Sequence, residues 1–155
     1  MGIVLARVDD RLIHGQVMTS WLNYTGASKI IVIDDATAND AFLSMIIKTL
    51  VPQNIKTEVT TVGKSVDVVS KIGDEKVIIL AKTPTPYLNL IENGITLPKV
   101  NLGGMGSTMN RKTLYRNISA SEEEIETFKK IMEHGVDVEI QMVTEDQAIN
   151  LKKLI

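Results

Sequence analysis

Hydrophobic and polar positions along the chain follow two alternating rhythms. Short, nearly unbroken apolar runs rich in β-branched residues recur at 3–8, 29–33, 57–62, 76–81 and 99–102. Such runs suit parallel strands buried on both faces. A sixth run, 136–143, sets Val136, Val138, Ile140 and Met142 against Asp137, Glu139 and Gln141, which predicts a strand with one solvated face. Between the runs, apolar residues recur at helical spacing. Val17, Met18, Trp21 and Leu22 form one stripe, and Leu43, Ile46, Ile47 and Leu50 a second. Val66, Val69 and Ile72 form a third, and Ile125, Phe128, Ile131 and Met132 a later one. Ser121 with Glu124 makes a capping box for that later helix, and Gly135 supplies its stop. Thr144 with Gln147 predicts the same device at the head of a final helix. Strands alternating with helices imply a three-layer α/β/α fold: an open, doubly wound, mainly parallel sheet of about six strands, with room for one more at its edge. Residues 1–155 fit a single domain, and the alternating last strand, as an edge, offers a second copy a surface for self-association.

Composition narrows the function classes. Seventeen basic residues stand against 19 acidic ones, for a net charge of −2, which argues against nucleic acid as the main partner. With no cysteine, neither disulfides nor thiolate metal sites are available, and a reducing, cytoplasmic setting is expected. No stretch approaches the roughly 20 apolar residues of a membrane span.

In sheets of this kind, ligands bind beyond the carboxyl ends of the strands. Residues 9–16, 34–35, 82–85 and 103–107 fall there. The first of these segments is the richest: Arg7-Val8-Asp9-Asp10-Arg11-Leu12-Ile13-His14-Gly15-Gln16-Val17. His14 stands just ahead of a helical stripe, facing free backbone N–H groups and the positive end of a helix dipole. Those surroundings favour an anion and disfavour an imidazolium, and a neutral imidazole is what a nucleophile requires. Arg11 can neutralise an anion held beside the ring, with the amides of Leu12, Ile13 and Gly15 as further donors. Gly15 allows close backbone approach. Arg7 and Asp9, two apart on a strand, share a face and can pair. Asp9 or Asp10 can hold the ring nitrogen that does not react, and the residues alone leave that choice open. His134, in the last turn of a helix, reads as structural.

Two further stretches carry candidates. Gly104-Met105-Gly106-Ser107-Thr108-Met109 begins like a dinucleotide fingerprint, but Met109 occupies the third glycine's place and no helical pattern follows directly, since residues 110–113 intervene. A close backbone approach to phosphate or a partner at Gly103 and Gly104 fits better, with no cofactor and no metal. The four arginines fall in two clusters, Arg7 with Arg11 and Arg111 with Arg116. The second pair is expected to flank the site and dock an acidic partner surface.

The stretch 7–17, followed by Trp21, closely resembles the active-site segment of IIB components of the sugar phosphotransferase system, mannose–fructose–sorbose family. Ile31-Val32-Ile33-Asp34-Asp35, Val100-Asn101-Leu102-Gly103-Gly104-Met105 and residues 118–124 extend the resemblance over the chain. The resemblance implies strand order 3-2-4-1-5-6, phosphorylation of His14, phosphate stabilisation by Arg11, and an enzyme acting through a phosphohistidine. It also implies a IIA phosphoryl donor, membrane components IIC and IID, a sugar acceptor, and a cytoplasmic location at the membrane transporter. A histidine phosphatase or mutase is the less fitting alternative, since Arg11 and His14 are not adjacent and His134 is the only other histidine. A non-catalytic flavodoxin-like regulatory or binding module is the other.

Overall fold

The computed structural model describes residues 2–155; residue 1, where the expected single domain begins, lies outside the described residues. The first strand, β1 (Ile3–Asp9), lies inside a seven-stranded sheet. Next come α1 (Gly15–Thr25), β2 (Lys29–Ile33), a short α2 (Asp35–Ala38), α3 (Ala41–Thr49) and β3 (Lys56–Thr60). They are followed by α4 (Val62–Ser70), β4 (Val77–Ala81), α5 (Thr85–Glu92) and β5 (Val100–Gly104). A separate antiparallel hairpin of β6 (Lys112–Tyr115) and β7 (Ile118–Ala120) leads into α6 (Glu122–Glu133), β8 (Val138–Ile140), β9 (Ile149–Asn150) and a 3-10 turn at Leu151–Lys153. The sheet order is β3-β2-β4-β1-β5-β8-β9. With the hairpin set aside, β8 is the sixth strand, so this is the order the resemblance implies, with antiparallel β9 as the additional edge.

Period-2 alternation divides the strands between two cores. Ala6, Val8, Ile31, Ile33, Ile79 and Leu102 face α4, α5 and α6. Leu5, Ile30, Val32, Ile78 and Leu80 face α1, with Ile47 of α3 packed beside them. The chain therefore leaves β1 towards one face and leaves β4 and β5 towards the other, which opens the sheet's carboxyl end at β1. Tyr87 of α5 fastens that centre: its buried hydroxyl lies 2.7 Å from the Arg7 carbonyl oxygen and 2.9 Å from that of Ile79. Among the described residues, no helix is long and apolar enough to cross a membrane.

The capping box forms as expected, with Ser121 Oγ accepting from the Glu124 amide and a Glu124 carboxylate oxygen accepting from the Ser121 amide. Four expectations are corrected. The final helix headed by Thr144 and Gln147 does not exist. Instead the Gln141 side-chain amide donates to the carbonyls of Thr144 and Asp146, and the segment closes into a turned loop. The strand expected over 136–143 is paired only at Val138–Ile140; Glu139 is half-buried and its apolar neighbours are buried. Since β9 covers β8 and Val138 and Ile140 are interior, no exposed apolar edge remains there for a second copy. The stripe on α3 forms a helix but not a core: no residue of α3 is buried, and Ile47 alone packs against the apolar cluster.

Candidate functional site

The chain turns sharply after β1. Leu12 adopts a left-handed backbone (φ 59°), unusual for a branched aliphatic residue, and Gly15 another (φ 42°). The side chains of Leu12 and Ile13 are sunk into the core beneath α1, which holds the turn from below. His14 is left at the rim as the N-cap residue of α1, in extended conformation, with its side chain about a quarter exposed. No side chain caps this helix, so the amides of its first turn keep their donors.

Asp9, fully buried at the end of β1, is the hub. Its Oδ1 accepts from the Arg11 amide (3.0 Å) and Arg11 Nε (3.1 Å). Its Oδ2 lies 3.2 Å from Arg7 Nη2, 3.2 Å from Arg11 Nη2 and 3.1 Å from His14 Nε2. Burial alone would raise the carboxyl's pKa. The hydrogen bonds from the side chain and amide of Arg11, with the charges of Arg7 and Arg11, outweigh it and hold the group below the ordinary value of 3.8. Asp9 is thus an anion facing the imidazole.

Behind it, Arg7 has no exposed surface. Its Nη1 donates to Asn101 Oδ1 (2.7 Å) and the Gln141 carbonyl (3.1 Å), and its Nη2 to the Met142 carbonyl (2.9 Å). The guanidinium carbon lies 5.4 Å from the centre of the Trp21 ring, whose Nε1 also donates to the Met142 carbonyl. Burial lowers the arginine's pKa, and Asp9 offsets part of that shift. The position of Gly103 explains itself here: a Cβ on it would overlap Arg7 Cζ, Nη1 and Nη2. A Cβ on Gly104 would lie 2.8 Å from Asp9 Oδ1.

Asp10 points the other way. Its Oδ2 accepts from the Gly106 amide (2.8 Å) and lies 3.4 Å from Arg111 Nη1. Arg111 also donates to the Gly106 carbonyl and, through Nε and Nη2, forms a two-point pair with Glu124 at 2.9 Å each. Hydrogen bonds donated to Glu124 raise the Arg111 pKa. For Glu124, burial pulls upward, and the hydrogen bonds it accepts from Arg111 and from the Ser121 amide outweigh it, leaving the carboxyl below 4.5.

The structure thus brings Arg7, Asp9, Arg11 and His14 together and redistributes the other expected roles. Arg7 is too deeply buried to touch a phosphoryl group or a partner. Gly103 and Gly104 are buried beneath the arginine–carboxylate pair and serve its packing, not a ligand. The Leu12 amide is occupied by the Asp9 carbonyl (2.9 Å), which leaves the donors from Ile13 onward. Arg111 is an internal clasp with a side chain only 11% exposed, and Arg116 stacks on Tyr115 at the hairpin turn. Asp34 caps α2 and lies 3.5 Å from Lys82 Nζ, while Asp35 accepts from the Val62 amide. Sequence reasoning missed Asn101 and the Gln141 and Met142 carbonyls. The signal for Asn101 was an amide inside an otherwise apolar strand.

Among the described residues, no group of three metal-binding side chains is assembled. A cleft of about 850 Å³ lies beyond Asp10, between Thr83, Arg111 and the head of α6, and another of about 610 Å³ lies between the hairpin and the β8–β9 loop. Neither is lined by His14 or Arg11. The imidazole is offered at a rim, where a second macromolecule can reach it.

Comparison with known proteins gives a concordant result. The family model described as PTS system sorbose subfamily IIB component matches residues 3–155. The mannose-specific EIIAB component of Escherichia coli K12 is 36% identical over the whole chain, which spans about half (49%) of that relative's length. The fructose-specific EIIB component of Bacillus subtilis is 32% identical over all of this chain and 96% of its own. The crystal structure of the IIBSor domain of the sorbose permease from Klebsiella pneumoniae superposes with a TM-score of 0.93 at 32% identity, over 99% of this chain and 95% of that one. Sheet order, site-bearing turn and whole-chain match agree, and the chain belongs to the sorbose subfamily of IIB components of the sugar phosphotransferase system.

Proposed function

We propose that His14 carries the phosphoryl group, taking it from a IIA phosphohistidine and yielding it to a sugar brought in through membrane components IIC and IID. The observation that carries the reading is the contact between His14 Nε2 and the buried anion Asp9 (3.1 Å). An ionised carboxylate accepts only, so Nε2 holds the ring proton and Nδ1 keeps the lone pair. Nδ1 is also the ring nitrogen nearer the backbone, and the amides of Gly15 and Gln16 that open α1 carry no side-chain cap.

The chemistry follows from that tautomer. The Nδ1 lone pair forms a bond to phosphorus as the donor's nitrogen–phosphorus bond breaks in line. Asp9 stabilises the positive charge that develops on the ring. Charge on the equatorial oxygens falls to the first amides of α1 and to Arg11, whose half-exposed side chain commits Nε and Nη2 to Asp9 and leaves the Nη1 donors for phosphate. In the second step a sugar hydroxyl oxygen bonds phosphorus and the Nδ1–phosphorus bond breaks. The ring leaves as neutral imidazole, and the hydroxyl proton passes to the acceptor site. The sugar itself is held by the membrane components, and the protein works in the cytoplasm against them.

The test is incubation with phosphoenolpyruvate, the general phosphotransferase proteins and a mannose-class IIA donor, using labelled phosphate. One acid-labile, base-stable phosphate per chain, mapped to residue 14 and attached at Nδ1, is the expected result. Absence of label on a folded protein would overturn the reading.

A further inference from the structure

We infer that Arg7, which no phosphoryl group can reach, is a positioning residue: it fixes Asp9 Oδ2 and thereby sets the tautomer of His14. This rests on the phosphohistidine reading above and adds a second layer to it.

The atom that matters is Asp9 Oδ2, shared by Arg7, Arg11 and His14. Two of those three donors can move, since the Arg11 side chain is 48% exposed and that of His14 26% exposed. Arg7 is the fixed one. Asn101 holds it from β5, the Gln141 and Met142 carbonyls hold it from the loop after β8, Trp21 lies against it from α1, and Gly103 leaves it space. Beside its bond to the Met142 carbonyl, Arg7 Nη2 also donates to Asp9 Oδ2 at 3.2 Å.

A purely space-filling role fits poorly. Burying a guanidinium among apolar neighbours costs free energy, and replacing a buried ion pair with a well-packed apolar residue is commonly neutral or stabilising. Arg7 Nε is buried with no hydrogen-bond partner, a further cost that leucine or methionine would avoid. What a hydrocarbon cannot do is hold a carboxylate oxygen at one point. Without Arg7, Asp9 keeps Arg11 as its only guanidinium, and the pair is free to turn together, away from the ring.

Arg7→Met and Asn101→Leu test this on the full chain, the second loosening Arg7 without touching Asp9. Three quantities are read: melting temperature, the ¹⁵N resonances of the His14 ring, and the rate of phosphoryl transfer from a phosphorylated IIA donor. In wild type the ring should show one fixed tautomer with hydrogen on Nε2. Folded Arg7→Met should show averaged tautomer resonances, transfer slowed at least about tenfold, and a mixture of Nδ1 and Nε2 phosphohistidine. Asn101→Leu should shift the same readouts in the same direction by less. Should Arg7→Met not fold, the Asn101→Leu result decides. A folded variant with wild-type ring resonances and wild-type transfer would overturn the inference, as would slowed transfer with unchanged resonances. If wild type takes no phosphate, the functional reading fails instead, while the ring resonances still report on Arg7.

Discussion

Two arginine–carboxylate knots lie back to back on the turn that carries His14. In one, Arg7 and Arg11 close on Asp9; in the other, Arg111 closes on Asp10 and Glu124. They look alike in sequence, each pairing a guanidinium with acids of the same turn or of a helix head. They differ in what remains unpaired. Four of the five N–H donors of the Arg111 guanidinium are spent on acceptors, and its side chain is nearly covered, so little is left for a ligand. The Asp9 knot instead ends in an imidazole and an arginine at the surface. Nearness to a site does not give an arginine a role in its chemistry; the count of donors already spent does.

Substitutions can break that contrast. The largest effect is expected from His14→Ala, which should abolish phosphate uptake and leave the melting curve near wild type, because the ring sits at a rim and outside both apolar clusters. Residual uptake at another residue would contradict it. Next comes Arg11. Arg11→Ala should slow transfer by about 10²–10³, the usual cost of one donor to a developing oxyanion. Arg11→Lys should still slow it at least about tenfold, since a point charge cannot grip Asp9 and reach phosphate together. Near-normal transfer by the lysine protein in rapid-quench kinetics would reduce Arg11 to a loop-shaping residue.

Arg111→Ala should show the reverse profile. Stability should fall by about 2 kcal/mol, because Glu124 loses a charged, mostly buried partner. Transfer should stay within about threefold of wild type. A fall in transfer rate with altered salt dependence would restore the docking role expected from the sequence. The smallest effect concerns acid. Asp9 and Glu124 have folded-state pKa values below 3.8 and 4.5, so unfolding takes up protons. Their contribution is complete above those ordinary values and fades as pH falls through the lower folded ones. Denaturant melts in that acid range should show stability dropping, with a smaller drop in Asp9→Asn than in wild type.

Much of this was legible in the sequence because the governing distances are short. Period-2 spacing placed Arg7 and Asp9 on one face, and the helical stripe beginning at Val17 put His14 at a helix start. The β6–β7 hairpin was not legible, since Lys112–Tyr115 and Ile118–Ala120 are short and turn at Arg116, a residue with no glycine-like signature despite its φ of 47°. The Thr144 and Gln147 pattern misled because a neighbouring side chain, Gln141, captures the carbonyls that a helix would have used. The stripe on α3 was real as a helix, but periodicity cannot say whether a sheet lies beneath it. Which aspartate faces the ring was undecidable locally. Asp9 turns inward because Arg7 and Asn101 wait there, the latter 94 residues further along the chain.

That separation has a consequence for how the protein is made. The contacts that surround Asp9 join residues 7 and 9 to 101, 141 and 142. Such long-range closure is slow, and on a ribosome it cannot be completed until residue 142 has emerged. Truncations at the carboxyl end, far from the motif, would leave Arg7 without the carbonyls that anchor it. The histidine is made well before residues 101, 141 and 142, so its surroundings are completed long after the residue itself.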